Sequence, residues 1–284
     1  MQTIGIVGAG VMGKGVAERM AQYGYRVCLM DRDPAVTDSA LKMIQRSIRY
    51  RSMMDKTLDA NAMLDCITVT NDMADLADAD FVVENVTEQE AIKRQVYAEL
   101  EQYCKPDCIY LVNTSCIPIT RLGAGTGRPD KVIGVHFMNP VPVKKFAEVI
   151  RGWETSEETV ETVRKLLESV NIACEVVNDS AGFVSNRLSH LFMNEAAFLV
   201  YENVATAKQI DTIFKQAFGH EMGPLETADL IGIDTVVDSL EVLYQEYEDS
   251  KFRVCPLLRR MTEVGKTGRK SGEGFYNYGG KKRK

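Results

Sequence analysis

The stretch Thr3-Ile-Gly-Ile-Val7-Gly8-Ala-Gly10-Val-Met-Gly13 decides the fold. Its first five residues predict a strand over Thr3–Val7, and the pattern that follows predicts a helix over Met12–Tyr23. Three glycines at G-x-G-x-x-G spacing join the two. Gly8 permits a tight turn, Gly10 lets the backbone approach a pyrophosphate, and Gly13 lets the helix pack closely on the strand. Val11 and Met12 share this loop, where the N–H groups of a helix N-terminus face phosphate. A second strand over Arg26–Met30 leads to Asp31, 23 residues after Gly8 (31 − 8), where a carboxylate accepts hydrogen bonds from the adenosine ribose. Because that carboxylate repels a 2′-phosphate, NAD is the expected cofactor; Arg32, next in the chain, moderates the preference over NADP.

Outward from this stretch, short β-rich runs alternate with helical patterns. Strands are expected at Ile67–Val69, Asp80–Glu84, Ile109–Val112 and Val132–His136, and helices at Ala35–Arg51 and Glu90–Cys104. A helix near Glu157–Ser169 and a strand at Ala173–Val177 then close the sheet. Strand signals nearly vanish beyond Ala181, where helices are expected at Phe183–Asn203, Ala207–Phe218, Thr235–Glu248 and Leu257–Val264. The reading is an α/β chain with a Rossmann-like dinucleotide-binding domain over residues 1–180 and an all-helical domain over 181–284 for substrate and dimerisation.

The 284 residues are 45% apolar and 26% charged, a composition that excludes a disordered or fibrous chain. A net charge of −6 offers no general attraction to nucleic acid or anionic lipid, so neither partner is expected. The one dense basic cluster, Lys281-Lys-Arg-Lys284, reads as a solvated end. With no signal segment before the first strand and no membrane-length apolar run, a cytoplasmic location is expected. Seven scattered cysteines suit reduced thiols, and Cys104 and Cys108 lack the further ligands of a zinc set. No metal is expected.

Taking a hydride from an alcohol requires a base for the hydroxyl proton, a task suited to histidine near neutral pH. Of the three histidines, His136 ends a predicted strand on the glycine-loop side of the sheet, where ligands of open α/β sheets collect. His190 and His220 read as a packing residue and a turn residue.

Several segments, in order, carry a resemblance along nearly the whole chain. They are Asn113-Thr-Ser115, Val135-His136-Phe-Met-Asn139-Pro-Val-Pro, Glu148, Gly182-Phe-Val-Ser-Asn186-Arg, Met222-Gly-Pro-Leu, Asp229-Leu-Ile-Gly and Gly268-Arg-Lys-Ser-Gly-x-Gly-Phe-Tyr. With them the sequence resembles the L-3-hydroxyacyl-CoA dehydrogenase family, including its short bacterial 3-hydroxybutyryl-CoA members. The resemblance implies His136 as acid–base catalyst and Glu148 as its carboxylate partner. It also implies Ser115 and Asn186 as holders of the substrate oxygen, in a cleft between the domains. Glu88, Lys93, Asn113 and Asn139 match positions that touch the nicotinamide half of NAD.

The segment Arg46-Ser-Ile-Arg49-Tyr-Arg51-Ser-Met-Met-Asp-Lys56 departs from the family's usual lysine- and glycine-containing turn for coenzyme A. Cys116 and Met138 replace the common serine and phenylalanine. Together with Glu84-Asn-Val-Thr-Glu88 and Gly223-Pro-Leu-Glu226-Thr, these variants are similar to members found in polyketide-type assembly lines. Those members oxidise a glyceryl unit on an acyl carrier protein, toward hydroxymalonyl or methoxymalonyl extender units. The acyl handle therefore stays open between coenzyme A and carrier protein, with Arg46, Arg49, Arg51 and Lys56 as a basic rim for the latter. A 3-hydroxyisobutyrate-type enzyme would need a catalytic lysine where Asn186-Arg187 stands, and a non-enzymatic dinucleotide-binding protein is the remaining reading. Apolar residues Leu188, Leu191, Phe192, Phe198, Leu199 and Val200 suggest a homodimer through the helical domain.

Overall fold

The computed structural model describes residues 2–279, and the basic tail Lys281–Lys284 lies outside the described residues. The chain divides after Ser180 into two compact units.

The first unit is an eight-stranded sheet in the order β3-β2-β1-β4-β5-β6-β7-β8. Its strands are β1 (Thr3–Val7), β2 (Arg26–Met30), β3 (Ile67–Thr70), β4 (Phe81–Glu84), β5 (Ile109–Val112), β6 (Val132–Phe137), β7 (Phe146–Arg151) and β8 (Ala173–Asn178). The first six run parallel, which explains why β4 and β5 are buried along their whole length: helices cover both faces. Those helices are α1 (Val11–Gln22), α2 (Pro34–Met54), α3 (Ala60–Asp65), α4 (Glu90–Tyr103), α5 (Ile119–Gly123) and α6 (Glu157–Ser169). After β3 the chain returns to lay β4 on the other flank of β1, so the order reverses between β1 and β4. Ligands of open α/β sheets collect at the carboxyl ends of strands around such a reversal.

Strand β7 was not among the expected elements. It pairs antiparallel with β6 and parallel with β8, so β8 does extend the sheet, but through β7. Helix α2 runs to Met54, three residues past its expected end, and α3 was also unforeseen.

The second unit packs α7 (Ser185–Tyr201), α8 (Ala207–Phe218), α9 (Pro224–Ile231), α10 (Ile233–Tyr247) and α11 (Pro256–Glu263) around its own core. Helix α9 is additional to the expected four. Two buried aspartates fasten the C-terminal segment. Asp229 accepts from the backbone N–H of Phe275 and Tyr276 and from the Tyr278 hydroxyl, while Asp211 accepts from the Tyr276 hydroxyl at 2.6 Å. The dimer argument from α7 needs correction: Phe198 is buried, and Leu199 and Val200 pack against the same core. Leu191 packs beside Phe252, and Phe192 meets Phe214 edge-on, leaving Leu188 exposed. No helix among the described residues is long and apolar enough to cross a membrane.

Candidate active site

The turn from β1 into α1 is held by backbone chemistry. Gly8 has φ +95°, and a Cβ there would sit 2.7 Å from the Asn85 carbonyl oxygen. A Cβ on Gly13 would collide with the Gly8 carbonyl oxygen. These two glycines therefore have steric reasons to be glycine, whereas Gly10 has open space where its Cβ would point. Helix α1 begins without a capping side chain and without an acidic residue in its first turn, leaving its N–H groups and positive dipole end to an anion. Val11 is exposed at this end, and Met12 packs against the core.

Asp31 follows β2 and turns its carboxylate toward the same loop, accepting from the Ala9 N–H at 2.9 Å and from the Asp33 N–H at 3.2 Å. A cavity of about 320 Å³ opens here, with Gly8, Gly10, Asp31, Val36, Asn85 and Val86 in its walls. An open glycine, an uncapped helix end and a carboxylate beside an apolar cavity fit a dinucleotide. Arg32 points its guanidinium to Glu99 on α4, with a 2.6 Å contact between partly exposed side chains.

The catalytic pair implied by the sequence is set by strand register. His136 on β6 lies directly opposite Glu148 on β7. The Nδ1 edge of the imidazole faces Glu148 Oε2 at 3.4 Å, and the side chains are only 13% and 5% exposed. That separation exceeds the about 2.7–2.9 Å of an ordinary charge-assisted contact.

The loop after β5 is tied to its surroundings by two acids, the exposed Glu88 and the buried Glu84. Glu88 Oε1 accepts from the Thr114 hydroxyl and from the backbone N–H groups of Ser115 (2.9 Å) and Cys116 (3.0 Å). Glu84, at the end of β4, is wholly buried and accepts both contacts of the Lys93 ammonium, at 2.8 and 2.9 Å. Lys93 also donates to the Asn113 carbonyl, and the Asn113 side-chain amide donates to Asn85. Burial pushes the Glu84 carboxyl above its ordinary range, against the opposing pull of Lys93, the Val86 N–H and the Tyr97 hydroxyl.

Residues 3–180 match the family described as 3-hydroxyacyl-CoA dehydrogenase, NAD binding domain, and residues 182–278 match 3-hydroxyacyl-CoA dehydrogenase, C-terminal domain. A probable 3-hydroxybutyryl-CoA dehydrogenase of Deinococcus radiodurans is 44% identical over 96% of this chain and 99% of its own length. The chain belongs to the 3-hydroxyacyl-CoA dehydrogenase family. A probable 3-hydroxybutyryl-CoA dehydrogenase of Bacillus subtilis is 41% identical, over 98% of each chain. The crystal structure of (S)-3-hydroxybutyryl-CoA dehydrogenase from Ralstonia eutropha superposes with a TM-score of 0.93 at 37% identity, covering 98% of this chain and 99% of that one.

Within this dehydrogenase the first unit is the NAD-binding one. His136 and Glu148 face each other across the β6–β7 ladder, and Ser115, Asn113, Glu88 and Lys93 gather around the loop after β5. Asn139 is exposed in the turn between β6 and β7. Asn186 lies in the first turn of α7, half-buried, with its carbonyl 2.8 Å from His190 Nδ1. The basic rim reads differently in part: Arg46, Arg49 and Lys56 are exposed, but Arg51 bonds Glu18, Gln22 and the Pro142 carbonyl. Glu84, Asn85 and Thr114 were missed as site-shaping residues. A lone acid ending an otherwise apolar strand was the available signal for Glu84.

Proposed function

We propose that this chain interconverts a 3-hydroxyacyl thioester and its 3-oxo form using NAD, with 3-hydroxybutyryl-CoA, the substrate named for its relatives, as the first candidate. The observation that carries the reading is the His136–Glu148 pair on neighbouring strands of the NAD-binding unit. NAD supplies the hydride acceptor in the oxidative direction. The chain's own task is then to move one proton and hold one oxygen. His136 takes the C3 hydroxyl proton, and the Glu148 carboxylate opposite Nδ1 stabilises the resulting imidazolium. The C3–H bond breaks as the carbonyl forms. Ser115 and Asn186 are assigned to the substrate oxygen; as neutral donors they polarise it without competing for the proton. The glycine loop and Asp31 hold the adenosine and pyrophosphate part of the cofactor, with Glu88, Asn113 and Asn139 around its nicotinamide half. Lys93 acts from beneath, through Asn113.

A second reading concerns only the acyl handle. The outer face of α2 combines exposed Arg46 and Arg49 with Tyr50, Met53 and Met54, a basic and apolar surface suited to an acidic carrier protein. The test is NADH oxidation with acetoacetyl-CoA, run beside NAD reduction with a glyceryl thioester on coenzyme A and on an acyl carrier protein. Turnover of acetoacetyl-CoA supports the first reading; silence there, with turnover only of the carrier-bound unit, replaces it with the second. Exposed Leu188, Ile213, Phe218, Leu230 and Val264 on the helical unit motivate a homodimer, and sedimentation as a 31.7 kDa monomer would refute it.

A further inference from the structure

The turn that joins β6 to β7 spans residues 138–145, long for a connection between antiparallel neighbours. It carries Asn139 and links the strands of His136 and Glu148. Its own hydrogen bonds are few: the N–H groups of Val143 and Lys144 both donate to the Pro140 carbonyl. The Lys145 carbonyl accepts from the Ala173 N–H, and two arginines hold further carbonyls of the turn. Arg19, in the last turn of α1, is 2% exposed and donates through Nε (3.2 Å) and Nη2 (3.1 Å) to the Val141 carbonyl. The same Nη2 donates to the Lys144 carbonyl at 2.8 Å. Arg51, from α2, donates to the Pro142 carbonyl at 3.3 Å while anchored to Glu18 and Gln22. Three carbonyls of one turn are thus gripped by two guanidinium groups from two helices.

Helix α1 also lies unusually close to this turn. A Cβ on Gly15 would come within 3.1 Å of Val141 Cβ and 3.3 Å of Pro142 Cδ. Burying a guanidinium is costly, and a methionine would fill the same space without that cost. A fork of fixed donors does what methionine does not: it sets the direction of the carbonyls it holds. The other end of α1 is the uncapped N-terminus at the glycine loop, about 12 Å from Arg19 at 1.5 Å per residue. One rigid helix therefore meets the cofactor loop at its start and the Asn139 turn at its end.

We infer that Arg19, assisted by Arg51, is a positioning residue that fixes the β6–β7 turn, and with it Asn139 and the His136–Glu148 register, relative to the cofactor loop. The inference rests on the proposed function for its kinetic consequence, but the clamp itself has a separate readout. A displacement near 1 Å in a reacting group costs on the order of 10²-fold in rate.

The experiment compares wild type with Arg19→Met, Arg19→Lys and Arg51→Met. Amide hydrogen exchange is read at Val143 and Lys144, NADH affinity by fluorescence, and kcat and KM with acetoacetyl-CoA. In Arg19→Met, exchange at both amides is expected to accelerate at least roughly tenfold and kcat to fall roughly ten- to a hundredfold. NADH Kd and thioester KM should stay within about fivefold, a split that general loss of structure does not produce. Arg19→Lys, which keeps the charge on a single donor nitrogen, should recover part of kcat. A folded Arg19→Met enzyme with unchanged exchange and kcat within about twofold of wild type overturns the inference. If Arg19→Met does not fold, Arg51→Met decides by the same criteria, since that side chain is partly exposed. Wild-type silence toward acetoacetyl-CoA would refute the substrate reading alone, and the exchange data would still decide the clamp.

Discussion

Replacing Lys93 by Met tests whether this lysine acts by touching the cofactor or by holding the protein beneath it. Its ammonium and the Glu84 carboxylate are both fully buried, at 2.8 and 2.9 Å. Methionine fills a similar volume but leaves Glu84 with only the Val86 N–H and the Tyr97 hydroxyl as donors. Removing one partner of a buried pair typically costs about 3–5 kcal/mol, because the remaining charge stays desolvated. At roughly 2–4 °C per kcal/mol for a unit of this size, the NAD-binding unit should melt about 6–20 °C lower. The sign of the pH dependence follows from Glu84. Burial already raises its folded-state pKa above the ordinary 4.5, so the folded protein holds that proton more tightly than the unfolded chain. Stability from such a group is fully present below 4.5 and lost as pH rises through the higher folded value. Loss of Lys93 raises that value further, so the deficit should be largest near about pH 8 and shrink as pH falls toward about 5. Thermal unfolding across that range reads it directly, and Glu84→Gln combined with Lys93→Met should recover much of the loss. A melting point within about 2 °C of wild type, together with a large loss of NADH affinity, would refute the reasoning and make Lys93 a direct cofactor contact.

His136→Gln should lower turnover roughly 10²–10⁴-fold with NADH affinity nearly unchanged, as stopped-flow and binding assays would show; equal loss of both would make His136 a structural residue. Glu99→Gln should release Arg32 toward the ribose 2′ position and raise the NADPH to NADH ratio of kcat/KM. An exposed ion pair contributes up to about 1 kcal/mol, which corresponds to at most about fivefold, and an unchanged ratio would refute the role. Asp31→Ala should weaken NADH more than NADPH, and the opposite ranking in a binding titration would overturn the preference for NAD. Asp229→Ala strands the two N–H groups and the hydroxyl it now accepts. The C-terminal segment should then become cleavable by trypsin at Arg269 or Lys270, whereas an unchanged digest would mean that other contacts hold it.

The parts legible in the sequence are those whose physics is local. The glycine loop could be read because Gly8 and Gly13 are required by atoms of the same strand–turn–helix unit and of the neighbouring Asn85 strand end. Strand β7 went unread although Pro142 precedes and Gly152 directly follows Phe146–Arg151, because the run is short and its pairing depends on both β6 and β8. Helices α3 and α9 did carry signals, in the Asp59 cap and in Pro224 at the first helical position. Lys93 is the instructive case. On its helix it reads as one more charged residue, and the family resemblance points it at the cofactor; only the tertiary fold shows that Glu84 lies beneath it. The chemistry of this site therefore has two scales. The residues expected to meet substrate and cofactor can be named from motifs, because their identity is dictated by the reaction. The residues that aim them, Glu84 beneath Lys93 and Arg19 and Arg51 on the Asn139 turn, are dictated by distances between segments that no motif joins. Their removal should accordingly alter the geometry of the site while leaving every reacting group in place.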